Sequence, residues 1–485
     1  MRGRIASGLA WKVVSQVFRQ LSRVAVVVVL ARLLTPSDYG LAAMVLVFSS
    51  LILIFADLAL GAALVQRREL SELDRSTVFW TSVLTGTAFT LLGVAASWPL
   101  AAFYGEPEVQ PLFAVLSLSF IVTALGTTQS ALLNREMRFK NLELRMMAGT
   151  LVGGTAGIAV AWAGFGAWAI IVQQLAIALT STTLLWVASP WRPRLLFSTA
   201  SFRALASFSG NVFGTRLLFY ANRNLDNLLI GRFLGPAALG AYALAYNVML
   251  MPLSRIAQPI VEVLFPAMSR IQEDRPRMAA MWLRANRMIG AVTIPAMVGL
   301  MIVAPEFVLV LFGERWEAAT PVIQILAWVG LLQSLQRLNS SVLLACDRTG
   351  TLFRYSIVVL VASVIAFGAG LNWGIVGIAA GYAISSTLIE PYYAWLTARV
   401  LHVPVLTFAR AFTGIVQATL GMAAVVLSTD LWLLPDGLGA GARLAILVLV
   451  GVASYLALVL WRAPELRAEV RGLRRTRRAP APVAA

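Results

Sequence analysis

The chain has 485 residues, of which 59% are hydrophobic and 13% charged, and its mean hydropathy is +0.80. A soluble chain of this length carries charge on about a quarter of its residues, so the composition excludes a soluble globular enzyme and defines a polytopic membrane protein. The formal net charge of +17 sits mostly in short segments between apolar runs, the placement of membrane flanks rather than of a nucleic-acid surface.

The N-terminal stretch, Trp11 to Gly40, is apolar but carries Arg19 and Arg23 one helical turn apart on one face. These charges, the lack of an A-x-A site and the prompt start of the next span argue against a cleavable signal, so this helix is expected to stay in the protein. Windows of membrane-crossing length give about fourteen spans, at 9–33, 40–65, 77–100, 112–133, 146–163, 166–188, 205–232, 236–262, 286–312, 321–345, 352–371, 374–398, 409–429 and 441–461. With the N-terminus in the cytoplasm, most Lys and Arg fall in cytoplasmic segments, including the group Arg135, Arg138, Lys140 and Arg145 and the tail from Arg462 to Arg478. Only Arg32, Arg232, Arg315 and Arg443 fall on the far side. This bias predicts both termini in the cytoplasm.

A repeat divides the chain. Arg23–Met44 aligns without gaps on Arg223–Leu244, matching Arg23 with Arg223, Arg32 with Arg232, Leu34 with Leu234, Pro36 with Pro236, Gly40 with Gly240 and Ala43 with Ala243. Each copy reads as a helix that exits, turns at the proline and re-enters near the glycine. The copies lie an even number of spans apart. The prediction is an all-α polytopic membrane protein with two parallel six-helix lobes, residues 1–200 and 201–402, then helices 13 and 14 over 403–461 and a basic cytoplasmic tail over 462–485. The other reading is that P-x-x-x-G is ordinary hairpin chemistry.

Six arginines remain inside spans: Arg19, Arg23, Arg216, Arg223, Arg255 and Arg337. Charge in lipid is costly, so they either line a watery cavity suited to an anion or serve local structure. Arg223 with Asp226 at i,i+3 is one such local pair, and Arg255 by snorkelling is another case. Asp57, Asp226 and Glu390 are the deepest acidic residues, with Glu262 nearer a span end. Each either carries a coupling ion or neutralises a neighbouring arginine. The lone Cys346 and lone His402 exclude an intrachain disulfide and a metal cluster. There is no phosphate-binding G-x-x-x-x-G-K-[ST] loop, so no ATP-driven step and no cofactor is expected.

The run G-L-A-W-K…L-A-R-L-L-T-P-S-D-Y-G-L-A-A-M, then F-A-D-L-A-L-G-A-A-L-V-Q-R, N-R-E-M-R-F and N-R-N-L-D-N-L-L-I-G-R-F-L-G-P-A-A-L-G-A-Y, resembles the oligosaccharide flippases of the polysaccharide transporter family. The likeness is to its colanic-acid-exporter-like branch, within the multidrug/oligosaccharidyl-lipid/polysaccharide exporter superfamily. That resemblance implies a central cavity between two lobes. It also implies translocation of an undecaprenyl-pyrophosphate-linked oligosaccharide across a bacterial inner membrane, with membrane lipids and polymerase or export machinery as partners. It further implies that Arg19 or Arg23, and Arg216 or Arg223, meet the pyrophosphate. The alternatives are a cation-coupled multidrug exporter of the same superfamily and a membrane polysaccharide polymerase or ligase. The first prefers acidic cavities, and the second needs a large extracytoplasmic loop, which this chain lacks.

Overall fold

In a computed structural model the protein is described over residues 2–56, 64–65, 70–199, 210–435 and 437–462. Side chains of residues 2–10, 12–14, 53–56, 210–219 and 221 lie outside that description. The described residues are helical, with no strand among them. Among them nine segments are long and apolar enough to cross a membrane. Two of the nine, Asn222–Arg270 and Thr349–Val400, run to 49 and 52 residues. At 1.5 Å per residue each is about two and a half times the length a bilayer core requires, so each holds more than one pass. This accords with the larger number of spans expected from hydropathy and makes the chain an all-α polytopic membrane protein.

The chain forms two compact units, Met1–Ala243 and Leu244–Ala485. The first contains α1 (Arg2–Leu33), α2 (Pro36–Ala56), α3 (Glu72–Tyr104), α4 (Val109–Arg135), α5 (Phe139–Trp162), α6 (Trp168–Ala188) and most of α7 (Gly210–Pro252). α3 packs on α4, α5 on α6, and α1 on α5. The α5–α6 pairing is close because Gly149, Gly153 and Gly157 recur every turn. A Cβ at Gly157 would meet the Ala169 carbonyl at 3.1 Å, and one at Gly149 would meet that of Ile177 at 3.3 Å. Small residues at such spacing let helix backbones approach where lipid supplies no hydrophobic drive.

The two repeat copies build the same turn by different local means. α1 stops before Thr35, whose hydroxyl accepts from the Asp38 amide at 3.2 Å while the Asp38 carboxylate accepts from the Thr35 amide at 2.9 Å. This reciprocal cap leaves Pro36 at the first helical position, where a missing N–H costs nothing. In the second copy Gly235 takes φ +81° between the two halves of α7, and Pro236 starts the next half. Left-handed backbone suits a glycine here, and no capping side chain is needed.

The second unit contains α8 (Gln258–Arg270), α9 (Arg275–Leu311), α10 (Ala319–Gln336), α11 (Asn339–Ala345), α12 (Thr349–Gly370), α13 (Gly374–Val400), α14 (Val405–Arg410), α15 (Thr413–Ser428) and α16 (Ala440–Arg462). α9 packs on α10, α12 on α13, α10 on α13, and α15 on α16. Two expected spans are interrupted here. The stretch 236–262 passes through a π-helical turn, Leu253–Ala257, directly after Pro252. The stretch 321–345 divides into α10 and α11, with Asn339 spanning the break: its amide donates to Gln336 and its oxygen accepts from the Trp282 indole at 2.9 Å. The tail after Arg462 lies outside the described residues.

Candidate functional site

The first-unit arginines divide into two kinds. Arg19, on α1, forms an ion pair with Glu143 of α5 at 3.0 Å, and Ser15 also donates to that carboxylate. Its guanidinium is thus neutralised by a residue that the sequence reading placed ahead of a span and did not single out. Arg23, one turn further on, is exposed and has no ion-pair partner among the described residues. Arg223 is exposed as well. Its expected partner Asp226 is 2% exposed and accepts from the Tyr242 hydroxyl at 2.9 Å and the Asn227 amide at 2.8 Å. The Asp226 carboxylate therefore ties together the two halves of α7 around the Gly235 turn. The side chain of Arg216 and the whole of Asp57 lie outside the described residues.

In the second unit, Arg255 falls in the π-helical turn and is exposed, while Glu262 sits on α8. Arg337 follows α10 at the break before α11, half-buried and within electrostatic reach of Glu390 on α13. Glu390 also accepts from Tyr355 at 3.4 Å, and Tyr355 stacks on Tyr393 with ring centres 3.8 Å apart. One cluster therefore unites a predicted arginine with a predicted carboxylate, and two aromatic rings cover it. His402 occupies a turn at φ +56°. Among the described residues no group of His, Cys, Asp and Glu has the arrangement of a metal site.

A further feature escaped the sequence reading. Within the first unit, α2, α4, α5 and α6 line an open cavity of about 850 Å³. α4 turns a polar stripe to it, Ser119, Thr123, Thr127, Ser130 and Asn134, spaced as one helix face. Opposite stand Gln174, Ser181 and Thr182 of α6. Arg145 of α5 also lines the cavity, and it donates to the Ser130 hydroxyl at 3.2 Å. By sequence Arg145 belongs with the loop charges that set orientation. The three-and-four spacing of hydroxyls inside an apolar span was the available signal.

These helices and sites belong to a recognisable class. Over 94% of this chain and 99% of the other, the fold matches the lipid II flippase MurJ in an inward-closed conformation, at a TM-score of 0.77 and 17% identity. It also matches an inward-facing multidrug resistance MATE family transporter of the MOP superfamily, at a TM-score of 0.61 and 14% identity over 79% of this chain and 95% of that one. The fold is therefore that of the MurJ and MATE transporters. Residues 29–321 match the family described as polysaccharide biosynthesis protein, and the chain belongs to that family. It is 28% identical to the teichuronic acid biosynthesis protein TuaB of Bacillus subtilis (strain 168), over 96% of this chain and 97% of that protein. It is 29% identical to the lipopolysaccharide biosynthesis protein WzxC of Escherichia coli (strain K12), over 79% of each.

Proposed function

We propose that the protein is a flippase that carries an undecaprenyl-pyrophosphate-linked oligosaccharide from the cytoplasmic to the outer leaflet of a bacterial inner membrane, for surface polysaccharide assembly. Family membership and similarity along nearly the whole chain to proteins of teichuronic acid and lipopolysaccharide biosynthesis support this reading. So does a fold shared with a lipid II flippase. The observation that carries it is the pair Arg23 and Arg223, exposed at matching positions ahead of Pro36 and Pro236. A guanidinium fork donates two parallel hydrogen bonds to a phosphate and keeps its charge at any physiological pH. Arg19 is already occupied by Glu143, so Arg23 is the stronger candidate on α1.

In this mechanism the arginines bind the pyrophosphate, the prenyl chain stays in lipid, and rocking between inward- and outward-open states moves the saccharide across. No covalent bond changes, so the protein acts as a transporter and not as an enzyme. Asp226 and Glu390 are the carboxylates assigned to ion coupling among the described residues.

The test is reconstitution of the full chain in vesicles with an undecaprenyl-pyrophosphate-linked oligosaccharide, reading the saccharide's arrival on the opposite leaflet. Arg23→Glu and Arg223→Glu should each slow translocation at least about tenfold, the scale of losing a charge-assisted contact, at unchanged membrane insertion. Wild-type rates in both variants would overturn the pyrophosphate assignment. A polymerase would instead lengthen the saccharide in the same vesicles.

A further inference from the structure

The cavity of the first unit is separate from Arg23 and Arg223, and its chemistry differs from a phosphate site. At about 850 Å³ it lies within the range of ligand cavities, roughly 300–1,000 Å³. Among the described residues its polar wall is almost wholly neutral, and its single charged member is Arg145. We propose that this cavity is a saccharide-binding site that takes a sugar residue bearing a carboxylate, with Arg145 on the carboxylate and the hydroxyl stripe of α4 on the ring hydroxyls.

Three observations carry this. First, Arg145 has binding capacity to spare. Its one hydrogen bond goes to Ser130, its buried Nε has no partner, and no carboxylate lies within ion-pair distance among the described residues. Glu143, the carboxylate within electrostatic reach of Arg145, is ion-paired with Arg19 at 3.0 Å. Two arginines sharing one carboxylate on membrane-spanning helices leave a net positive charge that water or an anion must meet. Second, hydroxyls crowd the opposite side. Thr127 donates to the Thr123 carbonyl at 3.3 Å and Thr182 to the Val122 carbonyl at 2.9 Å. Their oxygen lone pairs remain free to accept, while Ser119 and Ser181 have no protein partner among the described residues. A hydroxyl both donates and accepts, as a sugar ring requires. Third, a single positive charge balances a carboxylate, whereas a phosphate dianion would leave a negative charge in a wall that has no second cation among the described residues.

The proposal rests on the flippase reading only for the source of the sugar; the cavity's selectivity is tested apart from translocation. The full-length protein in detergent would be titrated with glucuronate, glucose and inorganic phosphate, with binding read by saturation-transfer NMR, which detects weak ligands. Glucuronate should bind and glucose at least about tenfold less tightly. Arg145→Gln should weaken glucuronate at least about tenfold and Arg145→Lys much less. Thr127→Val, which keeps the charge, should weaken both sugars. The double variant Arg23→Gln/Arg223→Gln should retain glucuronate binding, which separates this site from the pyrophosphate assignment. Equal glucuronate binding by wild type and Arg145→Gln would overturn the proposal. Phosphate competing with glucuronate at equal strength would overturn its saccharide part.

Discussion

Gly40 and Gly240 lie against one another within the first unit, each glycine facing the other copy's proline. A Cβ on Gly40 would collide with the Pro236 carbonyl, and a Cβ on Gly240 would collide with that of Pro36 and come within 3.0 Å of the Gly40 amide nitrogen. The two repeat copies thus pack on each other reciprocally, backbone to backbone, through the very residues that mark the repeat. A side chain at either position meets peptide groups, which cannot turn aside as a rotamer does. Gly40→Leu or Gly240→Leu should force the two turns apart, destabilising the protein by about 1–3 kcal/mol or more, the usual overpacking range. Thermal unfolding of the purified protein checks this. Gly299→Ala, at an ordinary helical position with nothing within 4 Å, should leave the midpoint unchanged or slightly raised.

Arg19 and Glu143 form a pair whose side chains are 19% and 13% exposed. Complete burial of a broken pair costs about 3–5 kcal/mol, and partial exposure reduces that to about 1–2 kcal/mol here. Arg19→Gln and Glu143→Gln should each lower stability on that scale, and the double variant should recover part of the loss. Additive losses in a double-mutant cycle would show that the two groups do not interact.

Arg443 binds two carboxylates, Asp430 at 2.7 Å and Glu306 at 3.4 Å. Arg443→Ala would leave both without that cation near the end of α9. A loss of about 1–2 kcal/mol is expected, given partial exposure. Melting curves of the variant and the wild type measure it, and an unchanged midpoint would contradict this electrostatic account.

Trp282 is fully buried, stacks on Phe408 at 4.5 Å between ring centres, and donates to Asn339 at 2.9 Å. Trp282→Ala should cost about 3–5 kcal/mol through the cavity it opens. Trp282→Phe should cost less, about 1–3 kcal/mol, mainly for the Asn339 oxygen left without its donor. If the two variants proved equally destabilised in denaturant titration, the Asn339 hydrogen bond lost by both, rather than the cavity opened only by Trp282→Ala, would account for the cost.

Apolar runs separated by basic segments already determine a helical membrane protein, because only a self-satisfied backbone survives in lipid. The repeat at Pro36 and Pro236 was equally legible, since a turn's chemistry is local. Its two versions, a Thr35–Asp38 cap and a left-handed Gly235, can be read within a few residues. What a charge does inside the fold is not local. Arg19 and Arg23 look alike in sequence, yet only tertiary packing brings Glu143 to the first and leaves the second exposed. Arg145 reads as a loop charge until α2, α4 and α6 line a polar cavity beside it. Sequence alone thus determined which residues are costly to hold in a membrane. The tertiary structure decided which of them are compensated within the protein, because compensation depends on partners more than a hundred residues away.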